Sequence, residues 1–213
     1  MKGDPKKFEA PFIRKEDAWL RADQIRQRYW SSGELPVEVE LLLYPLGLEL
    51  VPHHSIKETG DVDALLLGDL KTIIVDYQDY MNDKMQNRLR FSIAHELGHF
   101  VLHQDVFKDI AHVTIKDWIQ FIRLIPQAEY SYIEQQAYEF AGRLLVPSDR
   151  LGREFRQLIK KAKNAGFLSW DKTGEAALGF IATPISRIFG VSLEVIEKRL
   201  RREGFWPIQA MKI

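Results

Sequence analysis

Cysteine is absent from this 213-residue chain. That excludes disulfides and thiolate metal sites, so a bound metal would need histidine and carboxylate ligands. Neither sign of charge is in excess, with 30 basic and 30 acidic residues. This argues against a surface that binds nucleic acid or anionic membrane as a whole, and leaves only local basic patches for such a role. Long hydrophobic runs are missing too. No stretch approaches the roughly 20 apolar residues of a membrane span. Met1 to Phe12 alternates charge and proline where a signal peptide would be apolar. A cytoplasmic protein without membrane contact is the expectation. Repeats and low-complexity segments are likewise absent.

Against that plain background one stretch stands out, Arg88 to His103, RLRFSIAHELGHFVLH. On a helical wheel at about 100° per residue, Leu89, Phe91, Ile93, Ala94, Leu97, Gly98, Phe100, Val101 and Leu102 cover more than half of the circumference. Arg88, Ser92, His95, Glu96, His99 and His103 share the remaining arc. A helix apolar over most of its surface belongs inside a core. Its one polar stripe then needs partners, since buried polar groups left alone are costly. His95 to His99 has the H-E-x-x-H arrangement, in which two imidazoles one turn apart share a helix face and can share a metal. The stripe predicts the floor of a metal site.

The remaining elements predict an α+β fold, a mostly helical body with a small sheet of about three strands packed on that helix. Met1 to Arg14 reads as an irregular or loosely attached arm. Lys15 to Trp30 reads as a helix stopped by Ser31-Ser32-Gly33. Pro36 to Tyr44 reads as a second helix with proline at its first position. Leu48 to Val51, Val62 to Leu67 and Lys71 to Asp76 read as strands. The last two form a hairpin around Gly68-Asp69-Leu70, and the sheet is expected to be antiparallel. His53 and His54 point to opposite faces of an extended chain and cannot comfortably chelate one ion together, so they read as loop residues. Beyond His103, helices are expected from Lys116 to Leu124 and, capped by Ser148, on to about Ala165. Pro184 is expected to start a helix, and Ser192 to cap another that ends at Gly204.

Tyr130 to Leu145 predicts the helix that completes the site. Ile133, Ala137, Phe140, Ala141, Leu144 and Leu145 form its apolar face, and Gln135, Gln136, Glu139 and Arg143 its polar one. Glu134 falls inside the apolar arc, where a carboxylate needs a cation or strong donors. Glu139 points the other way and needs neither. Catalytic zinc sites commonly combine three protein ligands with a position for water, and His2Glu is one such set. His95, His99 and Glu134 supply it. Glu96, beside His95, is placed to act as general base and to pass its proton to a leaving amine. His103, Tyr130, Tyr132 and Tyr138 are candidates for the oxyanion, and His103 also for backing a ligand. His103 does not fit as third ligand of the longer H-E-x-x-H-x-x-G-x-x-H pattern, because it follows His99 too soon and without the glycine.

A rival reading rests on the tail. TPISRIFGVSLEVIEKRL has the outline of a helix-turn-helix, with Arg187, Lys198, Arg199, Arg201 and Arg202 available for phosphates. Glu194, Glu197 and Glu203 dilute that charge.

RFSIAHELGHFVLH followed by EQQAYEFAGRLLVPSDRL resembles the ImmA/IrrE family of intracellular zinc metallopeptidases, over about Leu48 to Leu151. The resemblance implies a minimal gluzincin-like endopeptidase, of a kind linked to relief of repression by cleavage of a helix-turn-helix repressor. Matched by position, His95 and His99 are the histidine ligands of Zn2+, Glu96 the catalytic glutamate and Glu134 the third ligand. The chain departs at Tyr138, where the family often has asparagine, and at Val146, where methionine commonly precedes the proline. By the same analogy, the strand from Lys71 to Asp76 lies at the cleft edge and pairs with an extended substrate. The expected organisation is 1–47 as arm and helices, 48–165 as the zinc peptidase core and 166–213 as a C-terminal helical segment. The expected function is site-specific cleavage of a regulatory protein such as a repressor. The alternative is a non-catalytic or DNA-binding regulator that acts by binding a repressor or operator.

Overall fold

The computed structural model describes residues 5–54, 56–60, 62–109, 115–164 and 174–207. A 3-10 turn at Pro5–Lys7 leads into α1 (Lys15–Tyr29), the single turn α2 (Glu40–Leu43), β1 (Glu49–His53) and α3 (Ile56–Gly60). Then come β2 (Ala64–Leu66), β3 (Thr72–Asp76), α4 (Tyr77–Tyr80), α5 (Gln86–Leu102), α6 (Gln104–Asp109) and α7 (Ile115–Leu124). The chain continues through α8 (Gln127–Leu145), α9 (Ser148–Asn164), α10 (Gly174–Phe189) and α11 (Leu193–Arg202). The fold is α+β, mostly helical with one three-stranded sheet, as the sequence implies.

The sheet is mixed, not antiparallel. β3 is central, with β1 parallel to it and β2 antiparallel. Ile73, Ile74 and Val75 are all buried, and a strand apolar on both faces takes the position bonded along both edges. β1 carries Pro52 and is largely exposed, which suits an edge. The expected β2–β3 hairpin is present. Asp69 closes it by accepting from the backbone N–H groups of Lys71 and Thr72 at 2.9 and 3.0 Å. The edge beside α5 is therefore β2, and Lys71 to Asp76 is interior. Leu67 N–H and the Asp63 carbonyl bond to β3. By the alternation of an antiparallel ladder, Leu66 N–H then points off the free edge.

α5 packs between this edge and α8, burying Leu89, Ile93, Ala94, Leu97 and Leu102. Full burial of a leucine or isoleucine side chain stabilises by about 1.5–3 kcal/mol. Gly98 lets the two helices close up. A Cβ there would lie 3.0 Å from the carbonyl oxygen and 3.2 Å from the Cα of Ala137. Gly98→Ala should thus strain the helix pair by roughly 1–3 kcal/mol and disturb the facing of the α5 histidines toward α8 at the same time. Thermal melts and zinc titration of the variant check this; unchanged values for both would show that the helices have room.

α8 begins at Gln127, ahead of the expected Tyr130, and its supposed polar face is covered by α1. Ala18 and Ala22, both fully buried, allow the approach. Gln136 and Glu139 are buried beneath α1 and the N-terminal arm. Glu139 therefore does need partners, and it has them. It accepts from Trp19 Nε1 at 2.9 Å and pairs with Arg202 at 2.9 Å. Arg143 pairs with Asp23 of α1 at 2.7 Å. The arm is also better attached than expected. Ala10 N–H donates to Glu129 at 2.7 Å, and Phe8 packs edge-on against Phe121.

Smaller corrections have local causes. α2 is one turn, not a helix from Pro36. Pro184 lies inside α10 instead of starting it. Buried Ala177, Leu178, Ile181 and Ala182 carry that helix through, against a proline cost of about 3 kcal/mol. Ser192 caps α11 as expected, accepting from Val195 N–H at 3.4 Å. The Ser148 hydroxyl is engaged instead with Arg143 and Glu203. α9 is described to Asn164, and the expected end at about Ala165 lies outside the described residues. Among the described residues, no single helix is long and apolar enough to cross a membrane.

Candidate metal centre

His95 and His99 project from α5 and meet Glu134 from α8. The two Nε2 atoms are 3.0 Å apart. Glu134 Oε2 lies 3.1 Å from His95 Nε2, and its Oε1 lies 3.2 Å from His99 Nε2. Zinc bonds of about 2.0–2.1 Å in a tetrahedral array place neighbouring ligand atoms roughly 3.3 Å apart; the Nε2–Nε2 separation lies within about 0.3 Å of that, and Glu134 offers a different carboxylate oxygen to each imidazole. The donor set fits a metal ion, with one ligand atom available from each of the three residues.

The charges respond accordingly. Burial works to raise the Glu134 carboxyl, but its hydrogen bonds with His95 and His99 outweigh burial and hold it well below the usual carboxylate range. Burial pulls His95 down, and the contact with Glu134 more than compensates. Glu96 is raised, chiefly by burial. Its Oε2 accepts from Leu66 N–H at 2.8 Å, so the edge of β2 fixes the carboxylate beside the centre. A cavity of about 230 Å3 joins this edge to His95, Glu96, His99, Tyr130 and Glu134. The rest of the polar stripe is satisfied as well. Arg88 pairs with Asp63 at 2.5 Å, and Ser92 reaches the same carboxylate at 3.5 Å.

Behind His99 runs a chain whose direction can be read from its far end. The Pro11 carbonyl can only accept, so Gln136 Nε2 donates to it at 2.9 Å, which leaves Gln136 Oε1 facing His103 Nε2 at 2.7 Å. His103 then carries its hydrogen on Nε2 and accepts on Nδ1 from His99 Nδ1, 3.1 Å away. The Nε2 lone pair of His99 is thereby turned toward Glu134 and His95. This requires a neutral His103, and burial followed by the influence of His99 lowers it to about 3. Gln136→Leu removes the orienting acceptor and should weaken zinc binding about 10–100-fold. Chelator competition measures the change; an unaltered affinity would show that His99 is oriented without this chain.

The helical wheel puts Gln136 on the polar face of α8, and no local signal shows that this face is covered, because Pro11 is remote in sequence. Of the oxyanion candidates, His103 is buried behind His99 and bonds to that imidazole instead. Tyr132 is exposed. Tyr130 hydrogen-bonds Glu134, and burial together with that carboxylate raises its phenol. Tyr138 packs against Phe91, with ring centroids 4.9 Å apart, and carries Lys198 over its face at 4.6 Å. In the tail, α10 and α11 do form a helix-turn-helix outline, bent by 108°. Arg199 is not available to phosphate. It is 2% exposed, lies over Trp19 at 4.7 Å and pairs with Glu203.

An H-E-x-x-H helix closed by a glutamate from a second helix is the architecture of metallopeptidase-like domains. The chain belongs to the peptidase M78 family: the model of the IrrE N-terminal-like domain matches residues 80–201. Among solved structures, a Mycobacterium tuberculosis transcriptional regulator aligns with 19% identity and a TM-score of 0.46, covering 84% of this chain and 46% of that one. The chain thus spans less than half of that regulator. Comparison with curated proteins gives no match.

Proposed function

We propose that this protein is a zinc-dependent endopeptidase that cuts a regulatory protein, such as a helix-turn-helix repressor. The observation that carries the reading is the convergence of His95, His99 and Glu134 at 3.0–3.2 Å beside a buried, backbone-anchored Glu96. Zinc, when bound, supplies Lewis acidity toward the scissile carbonyl and acidifies water to a pKa of roughly 7. Glu96 takes the proton of the attacking water and returns it to the leaving amine. Its elevated proton affinity suits both steps. Tyr130, which lines the same cavity and gives its O–H to Glu134, can turn that donor to the developing oxyanion. The free edge of β2, in place of β3, offers backbone groups to an extended substrate.

The reading is tested by mass spectrometry of new protein N-termini in cells expressing either the wild type or Glu96→Gln. A cut found only with wild type, in a DNA-binding repressor, supports the proposal and names the target. Identical N-termini under several stresses would contradict it.

A further inference from the structure

The basic residues of α11 that the sequence offered to phosphates instead border the metal centre. A cavity of about 650 Å3 is lined by His95, Tyr138 and the carboxylates of Glu134 and Glu139 on one side and by Lys198, Arg201 and Arg202 on the other. Helical spacing sets the three cations on one face, while Val195, Ile196 and Leu200 face the core. Their engagement differs. Arg202 is held by buried Glu139, whose other oxygen takes the Trp19 N–H. Lys198 and Arg201 pair with Glu194 and Glu175, whose side chains are 70% and 74% exposed. Surface pairs of this sort are weak and exchange readily.

A carboxylate entering the cavity would accept charge-assisted hydrogen bonds from Lys198 and Arg201 in a less aqueous setting. Their present partners would simply return to water. A basic group would meet Lys198 and Arg201, while the lining carboxylates are already engaged, Glu139 by Arg202 and Trp19 and Glu134 by the two imidazoles. We propose that this cavity is a substrate subsite that selects an acidic side chain next to the scissile bond, with Lys198 and Arg201 as its specificity residues. The proposal rests on the peptidase reading. Shape favours a peptide over nucleic acid, because the cations line a concavity, whereas groove readout needs a helix standing proud with its basic face outward.

Binding is measured in the full-length, zinc-loaded Glu96→Gln protein by fluorescence anisotropy. The probes are three fluorescein-labelled octapeptide pools, random except for two fixed glutamates, glutamines or lysines. The glutamate pool should bind at least about fivefold tighter than the glutamine pool, with lysine weakest. Adding Lys198→Glu and Arg201→Glu should invert the order. If that variant misfolds, Lys198→Gln with Arg201→Gln should abolish the preference. Equal affinities for the three pools, or a glutamate preference that survives these substitutions, would overturn the proposal. Duplex DNA that binds, and is lost with the same substitutions while the peptide pools bind alike, would overturn it in favour of nucleic acid. A glutamate preference here with no cleavage by the wild type would count against the peptidase reading alone, and cleavage by the wild type without a charge preference against the subsite alone.

Discussion

Glu96→Gln should keep a full equivalent of zinc and lose peptide hydrolysis by a factor of about 10²–10⁴, the range typical of a missing general acid–base. The side chain is 8% exposed and is anchored by one oxygen to Leu66 N–H. A glutamine of the same shape can keep that anchor, since its carbonyl oxygen still accepts. What it cannot do is take up and release a proton. The variant therefore separates chemistry from metal binding more cleanly than truncation would. Glu96→Ala, by contrast, leaves Leu66 N–H without its partner and confounds the two. The check is the initial rate on the substrate identified from its new N-terminus, alongside metal analysis of the same preparation. Normal turnover by Glu96→Gln would sink the mechanism.

Glu134→Ala should have the larger effect on the metal itself. This residue is the charged member of the proposed ligand set and bridges both imidazoles, at 3.1 Å from His95 and 3.2 Å from His99. Without it, two neutral nitrogens remain to hold a dication, too few for a catalytic site. Zinc affinity should fall by more than the roughly 10–100-fold that outer partners command. Stability should follow, because a ion bound only by the folded state raises the unfolding free energy by RT ln(1 + [Zn]/Kd). Added zinc is expected to raise the melting temperature of the wild type and of Glu96→Gln, and to leave that of Glu134→Ala nearly unmoved. An equal zinc-induced shift in Glu134→Ala would remove this residue from the ligand set.

Much of the centre could be read from two helices because both carry their information in periodicity. The single polar stripe of α5 had to be satisfied, and Glu134 stood out as a carboxylate among apolar positions. The periodicity of α8 misled for Gln136 and Glu139, since a wheel shows one helix and cannot show that α1 will cover its polar side. Trp19, Asp23 and Pro11, which satisfy that buried face, lie more than 100 positions away from it in sequence. The antiparallel sheet with Lys71 to Asp76 at its edge fails for a related reason. A hairpin fixes which strand pairs with the next, but only competition for the buried centre decides that β3 sits between β1 and β2. The tail was legible as a helix-turn-helix outline, yet its orientation, with Arg199 buried and Lys198 and Arg201 beside the metal centre, depends on packing against α8.

The zinc K-edge absorption spectrum of the full-length protein loaded with one equivalent of zinc tests the central claim most directly. A shell of nitrogen and oxygen ligands at about 2.0–2.1 Å is expected, without sulfur and with the outer-shell scattering of two imidazoles. The same spectrum should be obtained from Glu96→Gln. A shell of oxygens alone, or one unchanged by His95→Ala and His99→Ala, would contradict it.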